Sequence, residues 1–334
     1  MTATIEPVGG PAAWLGDDIV GDDDWKYGFS DTALEALVDR ARQIAGPIRD
    51  GRPLAEVRAS EIELAELDDV SAAMRAQLLG GRGYALVRGL PVDQLDHTEN
   101  QVLYWLIGSQ LATPIHQNEH RDVLIRVRDQ GKDFDNPTVR SYETAANLGY
   151  HSDSSDIVGL YCLHPAMQGG TSTVVSSVAV HDEVVRRRPD LAPLLYEPWP
   201  HFSPTKQTVG FQPICVRNAA GQLFTRYGRK YVEMGPEQDA SVAPLTDDQF
   251  ALLDLFDAVT HSDGFALNVD FQPGDVQFLN NYVTMHARTE YVDFPEEHRR
   301  RELLRMWLVV REGLDLPQAF AGIGFVSREV AFQS

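Results

Sequence analysis

The sequence GYHSDSSDIVG, residues 149–159, places a His-x-Asp pair directly before an apolar run that continues to Leu163. Side chains two residues apart in an extended segment point to the same face, so His151 and Asp153 are suited to bind one metal ion. A short motif of this kind also arises by chance, and a solvated turn is then the commoner explanation. Its meaning therefore depends on whether the rest of the chain supplies a fold and a third ligand.

Short apolar runs separated by turns surround this pair, mostly beyond residue 120, and this pattern predicts strands. The runs are YALVRG (84–89), VLIRVR (123–128), IVGLYCL (157–163), STVVSS (172–177), PICVRN (213–218), LFTRY (223–227), FALNVDF (265–271), DVQFLN (275–280) and LLRMWLVV (303–310). Strands and helices do not alternate regularly, which argues against a Rossmann or TIM architecture. We therefore expect a mainly β protein of the α+β class, a sandwich or jelly roll with flanking helices.

Helices are predicted where apolar residues recur at helical spacing between capping signals and breakers. The predicted helices are 31–48, 71–79, 98–111, 178–188 and 246–260. Capping boxes are predicted at Thr98–Gln101 and at Thr246–Gln249. We expect an irregular arm and a helix over residues 1–60, a single jelly-roll domain with helical insertions over 61–315, and a tail over 316–334.

The composition excludes several classes of protein and of site. A formal net charge of −20 argues against nucleic acid or an anionic membrane as a general partner, and favours a small molecule. Two distant cysteines, Cys162 and Cys215, exclude a disulfide framework and a cysteine-rich zinc site. The sequence shows neither an apolar span for a bilayer nor a signal peptide, so we expect a cytoplasmic protein. The composition leaves a homo-oligomer open, with residues 1–60 as a candidate contact region.

His286 is the best candidate for a third ligand among the ten histidines. It follows a turn, an apolar strand and an Asn pair in QPGDVQFLNNYVTMH, residues 272–286. Taken alone, a hydrogen-bonded histidine at a strand end is the commoner interpretation. Two histidines and one carboxylate form the ligand set of non-haem Fe(II) oxygenases, which leaves open positions on the metal.

The run EEHRRRELLRMWLVV, residues 296–310, places Arg301 and Arg305 four residues apart, so that both face the same side of the last predicted strand. An arginine that enters a barrel needs an anion, because burial of an unpaired guanidinium is unfavourable. A dicarboxylate cosubstrate would provide that anion through a bidentate contact. A salt bridge to one of the 49 acidic residues is the alternative for Arg301, and we expect Arg299, Arg300 and Glu302 to be solvated.

Taken together, these segments resemble the TauD/TfdA-like family of Fe(II)- and 2-oxoglutarate-dependent dioxygenases, within the clavaminate synthase-like superfamily. The resemblance covers roughly residues 80–312 and rests on an ordered set, which is more specific than one motif. The set is GYALVRGLP (83–91), NLGYHSDSSDIVGLYCL (147–163), GGTSTVVSS (169–177), FLNNYVTMHARTEY (278–291) and RRRELLRMWL (299–308). It implies a double-stranded β-helix (jelly-roll) core, Fe(II) as cofactor, and 2-oxoglutarate and O2 as cosubstrates.

The resemblance also implies roles for individual residues at the iron and the cosubstrate. His151, Asp153 and His286 match the iron ligands. Arg301 matches the arginine that binds the distal carboxylate of 2-oxoglutarate, although the three consecutive arginines leave its register open by one residue. Ser172 occupies the place where relatives often have a threonine that bonds the cosubstrate.

Candidates for the substrate follow from the same resemblance and from two polar or aromatic segments. Arg305 would lie nearer the metal than Arg301 and contact either the cosubstrate or an anionic substrate. Asn147 matches an asparagine that faces the substrate in some relatives, with a local turn bond as the alternative. Gln117, in TPIHQNEHRD, is a candidate lining residue. EPWPHFSPTKQTVGFQP (197–213) is long enough for a lid loop, with an ordinary surface connection as the alternative.

Arg288 lies two residues after His286, and we expect it to pair with Glu290 or Asp293 and to shape the loop there.

The family implies hydroxylation of an unactivated C–H bond in a small or medium organic molecule, for example a specialised-metabolite intermediate, with release of succinate and CO2. Desaturation or cyclisation by the same iron centre is an alternative. A zinc hydrolase and a non-catalytic ligand-binding jelly roll are the others. Arg301 argues against the hydrolase, and the intact ligand set argues against the binding protein.

Overall fold

The protein is described by a computed structural model over residues 5–133, 141–203 and 206–321. The strands in these ranges are β1 (Lys26–Tyr27), β2 (Tyr84–Val87), β3 (Thr113–Ile115), β4 (Leu124–Val127), β5 (Leu148–His151), β6 (Ile157–His164), β7 (Gln168–Gly169), β8 (Ser172–Ser176), β9 (Trp199–Ser203), β10 (Thr208–Gln212), β11 (Cys215–Arg217), β12 (Leu223–Thr225), β13 (Leu267–Val269), β14 (Val276–Asn280), β15 (Thr284–Arg288), β16 (Tyr291–Val292) and β17 (Glu302–Val309). The α-helices are α1 (Gly16–Ile19), α2 (Asp31–Arg49), α3 (Ala59–Ile62), α4 (Asp68–Gly80), α5 (His97–Leu111), α6 (Ser177–Arg187), α7 (Arg229–Gln238), α8 (Asp247–Thr260) and α9 (Gln318–Ala321).

Two sheets face each other and form the walls of the barrel. The larger sheet has the order β1-β2-β14-β6-β17-β3, with β4 also paired to β17, and the smaller sheet has the order β13-β8-β15-β5. Apolar side chains from both sheets meet in one buried cluster, which includes Val158, Leu279 and Leu303 from the larger sheet and Val174 and Leu267 from the smaller. This is the predicted jelly-roll core, and its interior holds the site described below.

Helices cover the outer faces of both sheets, as predicted for the α+β class. Helices α2, α4 and α5 pack on the larger sheet through a cluster that includes Leu37, Leu106 and Met306. Helices α6 and α8 cover the smaller sheet through a second cluster, in which Phe256 packs with Met285. Polar residues that alternate with these apolar ones therefore point into the barrel rather than into solvent.

The helix boundaries follow the predicted caps in one case and differ in another. The Thr246 side chain accepts a hydrogen bond from the Gln249 backbone N–H at 3.2 Å, so the capping box predicted for α8 is confirmed. The box predicted at Thr98 is wrong, because α5 begins at His97 and its N-cap is Asp96. The Asp96 carboxylate accepts from the Glu99 N–H at 2.9 Å, and aspartate is at least as good an N-cap as threonine.

The segment 197–213 forms a two-stranded antiparallel hairpin in its described part and is therefore not an irregular loop, whereas its role as a lid stays a prediction. Its strands β9 and β10 pair from Trp199 opposite Gln212 to Ser203 opposite Thr208. The hairpin packs against α7, a helix that the sequence did not predict because Gly235 and Pro236 lie within it. Proline and glycine have low propensities for regular structure, so the sequence did not predict these elements, which tertiary packing stabilises.

Candidate active site

Three side chains converge inside the barrel where β5 meets β15. His151 ends β5 and is the direct cross-strand partner of His286 in the middle of β15, with ring centroids 4.4 Å apart. Asp153 lies in the loop after β5, and its Oδ1 is 3.9 Å from His151 Nε2. One ligand atom from each of the three residues lies within 4.8 Å of the other two. The structure therefore brings together the three predicted ligands from distant parts of the chain.

The two histidine rings are prepared to act as neutral nitrogen ligands. His151 Nδ1 lies 2.9 Å from the Gly149 carbonyl oxygen, so Nδ1–H donates there and Nε2 keeps its lone pair. Burial, reinforced by the neighbouring His151, lowers the pKa of His286 to about 3. A neutral imidazole is the form that binds a metal, so His286 is available as a ligand at physiological pH.

The Asp153 carboxylate is held in its charged form despite being buried. Burial alone would raise its pKa, but Arg305, the two histidines and a hydrogen bond from Trp307 together lower the pKa to about 2. Arg305 Nη1 is 3.4 Å from each carboxylate oxygen, and the Trp307 indole N–H donates to Oδ2 at 3.0 Å. Two nitrogen ligands and one ionised carboxylate suit Fe(II), so this donor set fits the predicted metal.

The sequence did not single out Asn281, which fixes the loop that carries Asp153. Asn281 Oδ1 accepts from the Asp153 backbone N–H at 3.0 Å, and its amide donates to the Ser155 carbonyl at 3.0 Å. Asp156 accepts from the Tyr282 hydroxyl at 2.8 Å and from the Val310 backbone N–H at 2.7 Å. These bonds tie the metal-binding loop to the end of β17 and to the chain beyond β14.

We expect the substitution Trp307→Phe to weaken metal binding by about 10–100-fold, because it removes a hydrogen bond that orients and stabilises the ligand carboxylate. The measurement is an anaerobic Fe(II) titration of the purified protein. Trp105→Phe is a matched control, because the indole N–H of Trp105 is buried in the outer helical layer and has no partner among the described residues. Equal metal affinity in both variants would contradict the role of Trp307.

Arg301 is the member of the arginine triplet whose side chain enters the barrel. It is 3% exposed, whereas Arg299 and Arg300 are exposed, and Arg299 contacts Glu296 at 3.6 Å. The expectation that Glu302 is solvated is wrong, because Glu302 is buried and accepts from Arg126 Nε at 2.6 Å. Arg301 Nη1 is buried and has no hydrogen-bond partner within the described part of the chain. A side chain on Gly170 would come within 3.1 Å of Arg301 Nε, so the Gly-Gly turn leaves room for the guanidinium. A cavity of about 390 Å³, lined also by Cys162 and Leu303, reaches Arg301.

Ser172 also lies in the barrel interior, next to the centre of the larger sheet. Its hydroxyl donates to Gln277 Oε1 at 3.1 Å, which leaves both oxygen lone pairs free to accept. The amide nitrogen of Gln277 is buried and has no partner among the described residues. The structure therefore places a serine hydroxyl and an unused amide donor on the same interior surface.

Arg305 lies between the metal ligands and the predicted substrate residues. Its Nε donates to Gln117 Oε1 at 2.9 Å, and its guanidinium lies 4.9 Å from the ring centres of both Tyr142 and Trp307. Gln117 is itself buried and donates to the Arg305 carbonyl, so it positions Arg305. Asn147, the other predicted substrate residue, is exposed immediately before β5.

The pairing predicted for Arg288 with Glu290 or Asp293 is wrong. Arg288 is buried, and its Nη2 donates to the carbonyl oxygens of Thr144, at 3.0 Å, and Ala146. Its position on β15, two residues after His286, turns the side chain into the barrel, away from the surface loop.

A model of the family described as "Taurine catabolism dioxygenase TauD, TfdA family" matches residues 50–307, which is more than half of the chain. The chain belongs to the TauD/TfdA family. It is therefore a non-haem dioxygenase that uses Fe(II), 2-oxoglutarate and O2, as the resemblance implied. No helix in the described ranges combines the length and the apolar character that crossing a membrane requires.

Two curated relatives align with this TauD/TfdA chain along most of its length. "FR-33289 synthase" of Streptomyces rubellomurinus is 28% identical over 325 residues, which is 95% of this chain and 94% of the relative. "Taurine hydroxylase-like protein SAT17" of Stachybotrys chartarum is 26% identical over 88% of this chain and 77% of the relative.

Solved structures of similar fold include two kinds of oxygenase. An asparagine oxygenase in complex with Fe(II), 3-hydroxyasparagine and succinate has a TM-score of 0.63 at 16% identity, and covers 85% of this chain and 93% of that one. The non-haem iron oxygenase OrfP in complex with Fe, succinate and (3S)-hydroxy-L-Arg has a TM-score of 0.64 at 16% identity. The alignment covers 88% of this chain and 98% of that one. At this level of identity they establish the TauD/TfdA jelly-roll fold.

Proposed function

We propose that this protein hydroxylates an unactivated C–H bond of a small or medium organic molecule that carries an anionic group, such as a specialised-metabolite intermediate. The reaction consumes 2-oxoglutarate and O2 and releases succinate and CO2. The observation that carries this proposal is the cluster of His151, Asp153 and His286 inside a barrel that also buries Arg301, whose Nη1 has no hydrogen-bond partner among the described residues. We place the activity in a single jelly-roll domain over residues 61–315 and in the cytoplasm.

In this proposal the residues of the chain bind and orient the reactants. When bound, Fe(II) and 2-oxoglutarate supply the oxidising chemistry with O2. His151, Asp153 and His286 would hold the metal, and a set of three protein ligands leaves it able to bind the cosubstrate and O2. Arg301 binds the distal carboxylate of 2-oxoglutarate, and we assign to the Ser172 hydroxyl, which is buried on β8, an assisting hydrogen bond to the cosubstrate.

Arg305 is the residue that we assign to the anionic group of the substrate. Its contacts with Asp153, at 3.4 Å, are long for hydrogen bonds, so they hold it weakly. A cation bound to Asp153 would weaken them further, because it neutralises the carboxylate and repels the guanidinium. The bond to Gln117 keeps Arg305 in place, so its remaining donors are free for a carboxylate or a similar anion.

The relatives support hydroxylation and a small substrate without identifying it. The name of the Streptomyces relative, a synthase, suggests that it produces a particular small compound. The asparagine oxygenase and OrfP structures hold hydroxylated amino acids together with succinate. We extend this outcome to the present chain, and we prefer it to desaturation or cyclisation because the products in those structures are hydroxylated.

The proposal is tested by measuring succinate formation in a screen of small acids, each paired with its neutral amide or ester. We expect succinate release in excess of the uncoupled background only with acids, and a product heavier than its substrate by one oxygen atom. Turnover of neutral members at the same rate as their acids would overturn the assignment of an anionic substrate. A product that has lost two hydrogens would replace hydroxylation by desaturation or cyclisation.

We expect the substitution Arg305→Gln to raise the KM for the substrate identified in this way by at least about tenfold, because a charge-assisted hydrogen bond is worth about 1.5–3 kcal/mol. The KM for 2-oxoglutarate should change much less. Steady-state kinetics with each reactant varied in turn measure both values. The assignment fails if the larger change is in the KM for 2-oxoglutarate, because Arg305 would then belong to the cosubstrate.

A further inference from the structure

Two buried arginines lie next to the same tyrosine ring inside the barrel. The guanidinium carbon of Arg288 is 4.8 Å from the centre of the Tyr291 ring, and that of Arg301 is 4.9 Å from it. Their side chains come from different sheets, because Arg288 ends β15 and Arg301 directly precedes β17. Only one of these two arginines has a role in the function proposed above.

This region contains more hydrogen-bond donors than acceptors. Arg288 Nε, Arg301 Nη1 and Gln277 Nε2 are all buried without a hydrogen-bond partner among the described residues. The ion pairs of the described chain, counted to 4.0 Å, include none that joins either guanidinium to a carboxylate. Buried donors in this number indicate an absent anionic acceptor.

The spacing along β15 sets the distance between this region and the metal ligands. His286 and Arg288 are two residues apart and face the same side, which corresponds to about 7 Å along a strand. Ser172 is the direct cross-strand partner of Arg288, so it shares that interior face. A five-carbon dicarboxylate with one end at the metal would therefore bring its other end close to Arg288 and Ser172.

We propose that Arg288 is a second cosubstrate-binding residue, which shares the distal carboxylate of 2-oxoglutarate with Arg301 while its Nη2 holds the backbone at Thr144 and Ala146. This inference rests on the proposed function, because it requires 2-oxoglutarate at this site. Arg288 thereby connects the cosubstrate to the segment that leads into β5 and His151. The tethered segment also carries Tyr142, whose ring lies 4.9 Å from the guanidinium of Arg305.

A purely structural role is the competing explanation, because the bonds to Thr144 and Ala146 alone would keep the segment in place. The two roles differ in what they do to a ligand that lacks the distal carboxylate. Loss of a structural residue weakens every 2-oxo acid alike. Loss of a carboxylate-binding residue weakens 2-oxoglutarate selectively, so the ratio of two affinities separates the roles.

The experiment is an anaerobic titration of the Fe(II)-loaded protein with 2-oxoglutarate and with 2-oxopentanoate, which has a methyl group in place of the distal carboxylate. The visible absorption band of the bound 2-oxo acid reports binding. We expect the wild-type protein to prefer 2-oxoglutarate, and Arg288→Gln to reduce this preference at least about tenfold. Lys132→Gln is the matched control, because it breaks the exposed contact of Lys132 with Glu143, at 2.5 Å, and loosens the same segment without removing an interior cation.

An unchanged preference in Arg288→Gln, with both ligands weakened equally, would overturn the inference. If that variant does not fold, Arg288→Lys decides, since lysine keeps the charge but loses the fixed fork of donors. The preference of this variant for 2-oxoglutarate over 2-oxopentanoate should fall below that of the wild type. An equal preference in the two proteins would overturn the inference. A wild-type protein that binds both ligands equally would instead refute the cosubstrate assignment in the proposed function.

Discussion

Replacing Asp153 by alanine should abolish turnover while leaving the protein folded. Loss of a hydrogen-bond partner of a metal ligand typically lowers metal affinity or activity by about 10–100-fold, so loss of the ligand itself should exceed that range. The fold should persist, because Arg305 keeps its bond to Gln117 and the loop keeps its bonds through Asn281. The measurements are succinate formation, Fe(II) content and thermal unfolding of the purified variant.

Asp190→Ala is a suitable control for this variant, because Asp190 is exposed. Its one ion pair within the described residues is with the nearby surface residue Arg188. It should retain wild-type succinate formation. Full turnover in the Asp153 variant would remove that residue from the metal site. Loss of turnover with Fe(II) content unchanged would also contradict our account, since we ascribe the effect to the metal.

Arg301→Ala should raise the KM for 2-oxoglutarate by about 10–100-fold, with a smaller effect on the KM for the substrate. The estimate follows from the value of a hydrogen bond to a charged group, about 1.5–3 kcal/mol, applied to the carboxylate of the cosubstrate. Because Arg301 Nη1 has no partner among the described residues, its removal should not leave a buried carboxylate unpaired. Steady-state kinetics with varied 2-oxoglutarate measure the effect.

Arg299→Ala provides the matched control two residues earlier in the same arginine triplet. Its side chain is exposed, lies 3.8 Å from the Phe294 ring centre and contacts Glu296, so both KM values should stay within twofold of wild type, as is usual for an exposed ion pair. An unchanged KM for 2-oxoglutarate in Arg301→Ala would transfer the role to Arg288 or Arg305.

The strands and the His151–Asp153 pair could be predicted from the sequence because both depend on short-range patterns, whereas the third ligand required the resemblance to the family. Strand alternation places His151 near Asp153, and the segments that resemble the family identify His286. The same alternation along β17 predicts that Arg301 and Arg305 share a face. In the structure both enter the interior, next to Leu303 and Trp307.

The contacts that support the site could not be predicted, because they join residues far apart in the chain. Asn281 is 128 residues from Asp153, and Trp307 is 154 residues from it. Nearby carboxylates suggested a local ion pair for Arg288, whereas its actual partners are carbonyl groups more than 140 residues earlier. Which neighbour a strand acquires depends on the assembled sheet, and one chain does not reveal that pairing.

The attachment of β17 to the metal-binding loop has a consequence for insertions and deletions. Asp156 holds Val310 at one end of β17, and Asp293 accepts from the Arg301 backbone N–H at 2.7 Å at the other. One inserted residue between 301 and 305 would turn Arg305 and Trp307 outward together, because side chains in a strand alternate. The turn at Glu297–Arg299 lies outside the sheet and can absorb a change in length. Active relatives should therefore differ in length between His286 and Arg301, and should keep the interval from Arg301 to Trp307 constant.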